Sequence, residues 1–94
     1  MTEAELKNIE KRANNASKGP WKSMIEGRDH SSGDSFIMTG ISENENIWSE
    51  NRGTDIYLTG ITESDQDFIA NARQDIPNLL TEIKTLKKEL ENGK

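Results

Sequence analysis

The sequence predicts an α+β fold: a small antiparallel β-sheet with an N-terminal helix and a C-terminal helix or kinked helix pair. Three observations carry this. Apolar residues recur at helical spacing at both ends of the chain. The middle holds short β-prone runs bounded by turn residues. Two of those runs are near copies of each other. With 94 residues the chain makes a single domain, 1–94.

The first element is a helix over about residues 2–16. Thr2 and Glu5 have the spacing of a capping box, in which each side chain satisfies a free backbone N–H of the other. Leu6, Ile9, Ala13 and Ala16 then form a narrow apolar stripe, and Gly19-Pro20 stops the helix. A β-meander with loops is expected over 21–62, opening with a short strand at Trp21 to Glu26. The polar, turn-rich stretch from Gly27 to Asp34 reads as a loop.

The run Gly33-Asp34-Ser35-Phe36-Ile37-Met38-Thr39-Gly40-Ile41-Ser42-Glu43 parallels Gly53-Thr54-Asp55-Ile56-Tyr57-Leu58-Thr59-Gly60-Ile61-Thr62-Glu63, 20 residues later, with five of eleven positions identical. Both copies carry β-prone residues followed by Thr-Gly, which suits two strands of one antiparallel sheet. Two copies are too few for a solenoid, which needs about three. Asn44 to Arg52 would connect them, with Ile47 and Trp48 as candidates for a further short strand.

The pattern turns helical over 64–91, where Ser64 and Asp67 have cap spacing and Phe68, Ile69, Ala72, Ile76, Leu79, Leu80, Ile83, Leu86 and Leu90 keep helical phase. Pro77 lacks an N–H and clashes with the preceding turn, so a break or kink is expected near Asp75-Ile76. The seam Ile76, Leu79, Ile83, Leu86, Leu90 spans only about two heptads, too short for a self-sufficient coiled coil. It packs either on the sheet or against another chain.

Composition sets limits. Only 31% of the residues are apolar and mean hydropathy is -0.88. So short and polar a chain has a thin core, and self-association into a homo-oligomer is the expected remedy. Cysteine is absent, which removes disulfides and thiolate chemistry. The net charge of -5 argues against a duplex nucleic-acid partner. No apolar run approaches the roughly 18 residues that span a bilayer, so no membrane partner is expected. The acidic start Met1-Thr2-Glu3-Ala4-Glu5 lacks the basic and apolar regions of a signal peptide, and a cytosolic location follows as the simplest expectation.

Little in the sequence supports catalysis. The single histidine, His30, sits in the polar loop beside Asp29 and reads as a solvated loop residue. No catalytic residue, no metal site and no cofactor is expected, because no nucleotide-loop, dinucleotide or zinc spacing occurs. Asp65 and Asp67 at a helix start read as partners of the helix dipole.

Binding has better candidates. Arg73 falls inside or beside the apolar stripe, next to Ile69, Ala72 and Ile76. A guanidinium there needs an anion, either an internal carboxylate such as Asp55 or Asp75, or the phosphate or carboxylate of a ligand. Arg12 stands in the same way against Ile9, Ala13 and Ala16 on the first helix, with draping over that stripe as the plain alternative. Trp21 belongs by default to the core. Trp48 lies in a polar stretch where it can stack on a base, close an interface or cover a sheet edge. Asn71 completes the candidate ligand contacts.

Two segments resemble a known group. Ile9-Glu10-Lys11-Arg12-Ala13-Asn14-Asn15-Ala16 leading to Gly19-Pro20-Trp21 resembles the start of small uncharacterised accessory proteins of phages and prophages. Asp67-Phe68-Ile69-Ala70-Asn71-Ala72-Arg73-Gln74-Asp75-Ile76-Pro77-Asn78-Leu79-Leu80 resembles their ending. The resemblance implies a phage accessory protein in the host cytoplasm and transfers no catalytic role. By analogy of size and chemistry it points to a non-enzymatic sponge that sequesters a small anionic nucleotide-like ligand, an antiviral immune signal. The alternative is a phage inhibitor or adaptor that grips a host protein with the C-terminal apolar helix.

Overall fold

In a computed structural model of the chain, the described residues are 1–40 and 53–93. Their elements, in order, are α1 (Glu3–Asn15), β1 (Lys22–Met24), β2 (Phe36–Met38) and α2 (Glu63–Asn92). This is the expected α+β fold, with one helix on each side of a small antiparallel sheet in the chain order.

The capping box at the head of α1 forms as the sequence implies. Thr2 Oγ1 accepts from the Glu5 N–H at 3.1 Å, and Glu5 Oε1 accepts from the Thr2 N–H at 2.9 Å. These bonds also hold the Glu5 carboxyl below its ordinary pKa. No residue of α1 is fully buried, so its apolar stripe is only partly covered by α2.

β1 and β2 pair antiparallel, with Lys22 opposite Met38, Ser23 opposite Ile37, and Met24 opposite Phe36. The second copy of the repeat runs beside β2, where Ile37 and Ile56 exchange both backbone hydrogen bonds at 2.8 Å. The Gly53 N–H donates to the Thr39 oxygen at 2.7 Å, and Thr39 Oγ1 donates to the Thr54 oxygen at 2.8 Å. Among the described residues the expected meander is thus a two-stranded ribbon with one isolated bridge on its far edge. Tyr57 shows why: its side chain is exposed and only leans on Phe36, ring centres 5.6 Å apart, so little burial draws that run into the sheet. The repeat does recur in backbone shape. Gly40 and Gly60 both adopt left-handed conformations, with φ of +63° and +74°, which glycine alone adopts without strain. The expected connection 44–52, including Trp48, lies outside the described residues.

The core is thin, as composition implies. Met24, Ile25, Phe36, Ile37, Met38, Ala70 and Leu80 are its buried apolar members among the described residues. Gln66 is buried with them, only 2% exposed. Its amide nitrogen lies 3.1 Å from Ser23 Oγ, 3.0 Å from the Phe36 carbonyl oxygen and 3.3 Å from the Met24 carbonyl oxygen. One side chain of α2 thereby holds both strands.

α2 departs from expectation at two places. Its N-cap is Thr62, not Ser64: Thr62 Oγ1 accepts from the Asp65 N–H at 3.0 Å and Asp65 returns the bond to the Thr62 N–H at 3.2 Å. The expected break at Pro77 is also absent, and α2 runs as one helix of 30 residues through it. An interior proline costs about 3 kcal/mol. Burial on both sides of it, at Ala70 and at Leu80, supplies the offset, because the apolar phase is unbroken across Pro77.

His30 corrects another expectation. Its side chain is 5% exposed, not solvated. Its ring tilts against Phe36 at 5.0 Å, and Nδ1 accepts from the Ser32 backbone N–H at 3.1 Å. The loop around it is anchored too. Arg28 makes a bidentate pair with Asp67 of α2, both bonds at 2.9 Å, and also reaches Asp29. Hydrogen bonds from Arg28, and secondarily Ser23, hold the Asp67 carboxyl down to about 2.

Candidate functional site: a groove between the two helices

α1 lies along α2, tied by ion pairs from Lys84 to Glu10 and from Lys87 to Glu3 on one side of the seam. On the other side the helices diverge around a groove of about 530 Å³. Leu6, Ile9 and Ala13 of α1 and Ile69, Ile76 and Leu79 of α2 make its walls, so both apolar stripes read from the sequence face into it. They do not close on each other. Ile69, Ile76 and Leu79 remain exposed, the last at 59%.

Three of the candidate binding residues meet here. Arg12 from α1, Arg73 from α2 and Trp21 from the segment after Gly19-Pro20 all line the groove. Two hydrogen bonds to one carbonyl fix the corner where Trp21 and Arg73 meet. The Ser17 oxygen accepts from Trp21 Nε1 at 3.0 Å and from Arg73 Nε at 3.0 Å. Gln74 completes the clamp on Trp21, its Oε1 accepting from the Trp21 N–H at 2.7 Å and its Nε2 donating to the Trp21 oxygen at 3.1 Å. Gly19 sits beneath Arg73, where an added Cβ would touch Arg73 Cγ at 3.5 Å.

The expected internal ion pair of Arg73 with Asp55 or Asp75 does not form. Among the described residues, no carboxylate pairs with Arg73 or Arg12, and none lines the groove. Arg73 instead spends one donor on a neutral carbonyl, which leaves its two terminal nitrogens without a partner among those residues. In a chain of net charge -5, two arginines thus line a groove with no acid among its described lining residues.

The other two candidates lie elsewhere. Asn71 is exposed and donates to the Asp67 carbonyl of its own helix at 2.8 Å, away from the groove. Trp48 lies outside the described residues. Residues that sequence reasoning missed are Ser17, Gly19 and Gln74, which position the corner without showing any chemical motif. Among the described residues no cluster of three metal-ligating side chains occurs, and no helix is long and apolar enough to cross a membrane. Compared with protein-family models, curated proteins and solved structures, the chain matches none.

Proposed function

We propose that the chain is a non-enzymatic binding protein that sequesters a small nucleotide-like anion in the groove between α1 and α2. The carrying observation is that Arg12, Arg73 and Trp21 line one concave, apolar groove with no carboxylate among the described lining residues. Guanidinium groups grip phosphate in a bidentate way, and desolvated surroundings strengthen that grip. The Trp21 indole offers a face for a base. The resemblance of the two terminal segments to phage accessory proteins supports a more specific version, a sponge for an antiviral nucleotide signal in the host cytoplasm.

The exposed leucines of α2 favour a second reading, an inhibitor or adaptor that grips another protein through the C-terminal apolar helix.

Mass spectrometry of small molecules released by heating the purified protein tests the first reading. A co-purifying phosphate-bearing nucleotide is expected, and adding it back should raise the melting temperature of the wild type. Absence of any such molecule, together with unchanged melting across linear and cyclic nucleotides, would sink the proposal.

A further inference from the structure

Continuity of α2 through Pro77 lengthens the apolar row on its surface. Ile69, Ile76, Ile83 and Leu90 stand seven residues apart, with Ala72, Leu79 and Leu86 between them at alternating steps of three and four. On one unbroken helix from Glu63 to Asn92 this is a heptad row over three repeats, with Ile69, Ile76, Ile83 and Leu90 at a and Ala72, Leu79 and Leu86 at d. Pro77 falls at position b, off the row. Much of the row is open, for Leu79 is 59% exposed, Leu86 51% and Leu90 69%.

We infer that this row pairs with the same row of a second copy of the chain, as a parallel two-stranded coiled coil. Isoleucine at a with leucine at d is the combination that favours two parallel strands. Charge fixes the direction. The g flank carries Asp75, Glu82 and Glu89, while the e flank carries Arg73, Leu80 and Lys87. In an antiparallel pair g faces g, which would set acid against acid along the seam. In a parallel pair g faces the e position of the next repeat, so Glu82 meets Lys87 of the partner subunit. Phe68, 76% exposed, falls at g and meets Arg73 of the partner subunit, where an aromatic face suits a guanidinium. Asp75 gains no cationic mate, since Leu80 is buried beneath α1. Lys87 already holds Glu3 of its own chain, and its three N–H donors serve both carboxylates.

Ile69, Ala72, Ile76, Leu79 and Ile83 of this row also line the α1–α2 groove, so the pairing is an alternative to a ligand filling that groove, and neither readout below involves a ligand. Light scattering at micromolar concentration is expected to give twice the 10.6 kDa chain mass. Leu86→Lys should return the mass to one chain with helical circular dichroism retained, because Leu86 lies outside the lining of the α1–α2 groove. A wild type that is monomeric, or that assembles beyond two chains, overturns the inference. Direction has its own test, made simple by the absence of native cysteine. Leu86→Cys should oxidise to a disulfide-linked dimer, since d faces d across a parallel pair. A dimer that fails to cross-link overturns the parallel register, because an antiparallel pair separates the two thiols by roughly 20 Å.

Discussion

The molecule holds two arginine corners, and they are built in opposite ways. Arg28, in the loop between β1 and β2, meets Asp67 through two bonds and Asp29 through a third contact. Arg73, at the groove, meets only the Ser17 carbonyl among the described residues. Arg28 reaches α2 from outside and Arg73 reaches out from α2, and each ties a preceding segment to that helix. The first is electrically closed, its charge answered within the fold. The second is mechanically fixed but electrically open. A protein that used Arg73 solely as a strut would gain by supplying an acid there, as it does for Arg28. The difference separates a corner that is structure from the one the proposed ligand would use.

Removing the amide that underlies the closed side has the largest expected effect. Gln66→Ala removes the side-chain donor shared by Ser23 and the buried Met24 and Phe36 carbonyls, and should cost about 1–3 kcal/mol by chemical denaturation. A cost below about 0.5 kcal/mol would show that the sheet does not depend on α2. Next in size is Arg73→Ala. With no buried ion pair to strand, the unliganded fold should lose about 1 kcal/mol, the worth of one hydrogen bond. Any nucleotide-induced rise in melting temperature should vanish with it. A loss of several kcal/mol without ligand would make Arg73 a structural residue like Arg28 and erase the contrast.

The smallest effect separates the corners by pH. Asp67 has its folded pKa lowered from 3.8 to about 2. A carboxyl depressed in the folded state stabilises above its unfolded pKa, and that contribution is lost as pH falls through the folded value. Stability should therefore decline between about pH 4 and pH 2 through this group. Asp67→Asn should flatten that limb of an acid titration, while Arg73→Ala should leave it unchanged.

Some of this was legible in the sequence, for identifiable reasons. Helical stripes at both ends declared themselves by period, and an arginine inside a stripe declared a need for polar company. The capping box at Thr2 depends only on neighbours and was readable outright. Pro77 was misread because its local cost is visible in sequence and the flanking burial is not. His30 was misread for a related reason, since Phe36 covers it from β2. The pair Arg28–Asp67 joins residues 39 apart and has no local sign. Gln66 and Gln74 flank buried Ala70 by one helical turn each, and that polar-small-polar row was the available hint of a helix face reading backbone instead of packing on a core.

Gln66 also bears on how the chain acquires its shape. It joins α2 to β1 and β2 across 43, 42 and 30 residues of sequence. A two-stranded ribbon has little stability in water by itself. The strands therefore form only as α2 arrives, and the start of α2 gains its burial only when the strands are present. Such long-range closure slows folding relative to a helical hairpin of equal length. The head of α2 and the ribbon then belong to one cooperative unit. In native-state hydrogen exchange, the amides of Ile37 and Ala70 should open together, while those beyond Leu86 open first and independently.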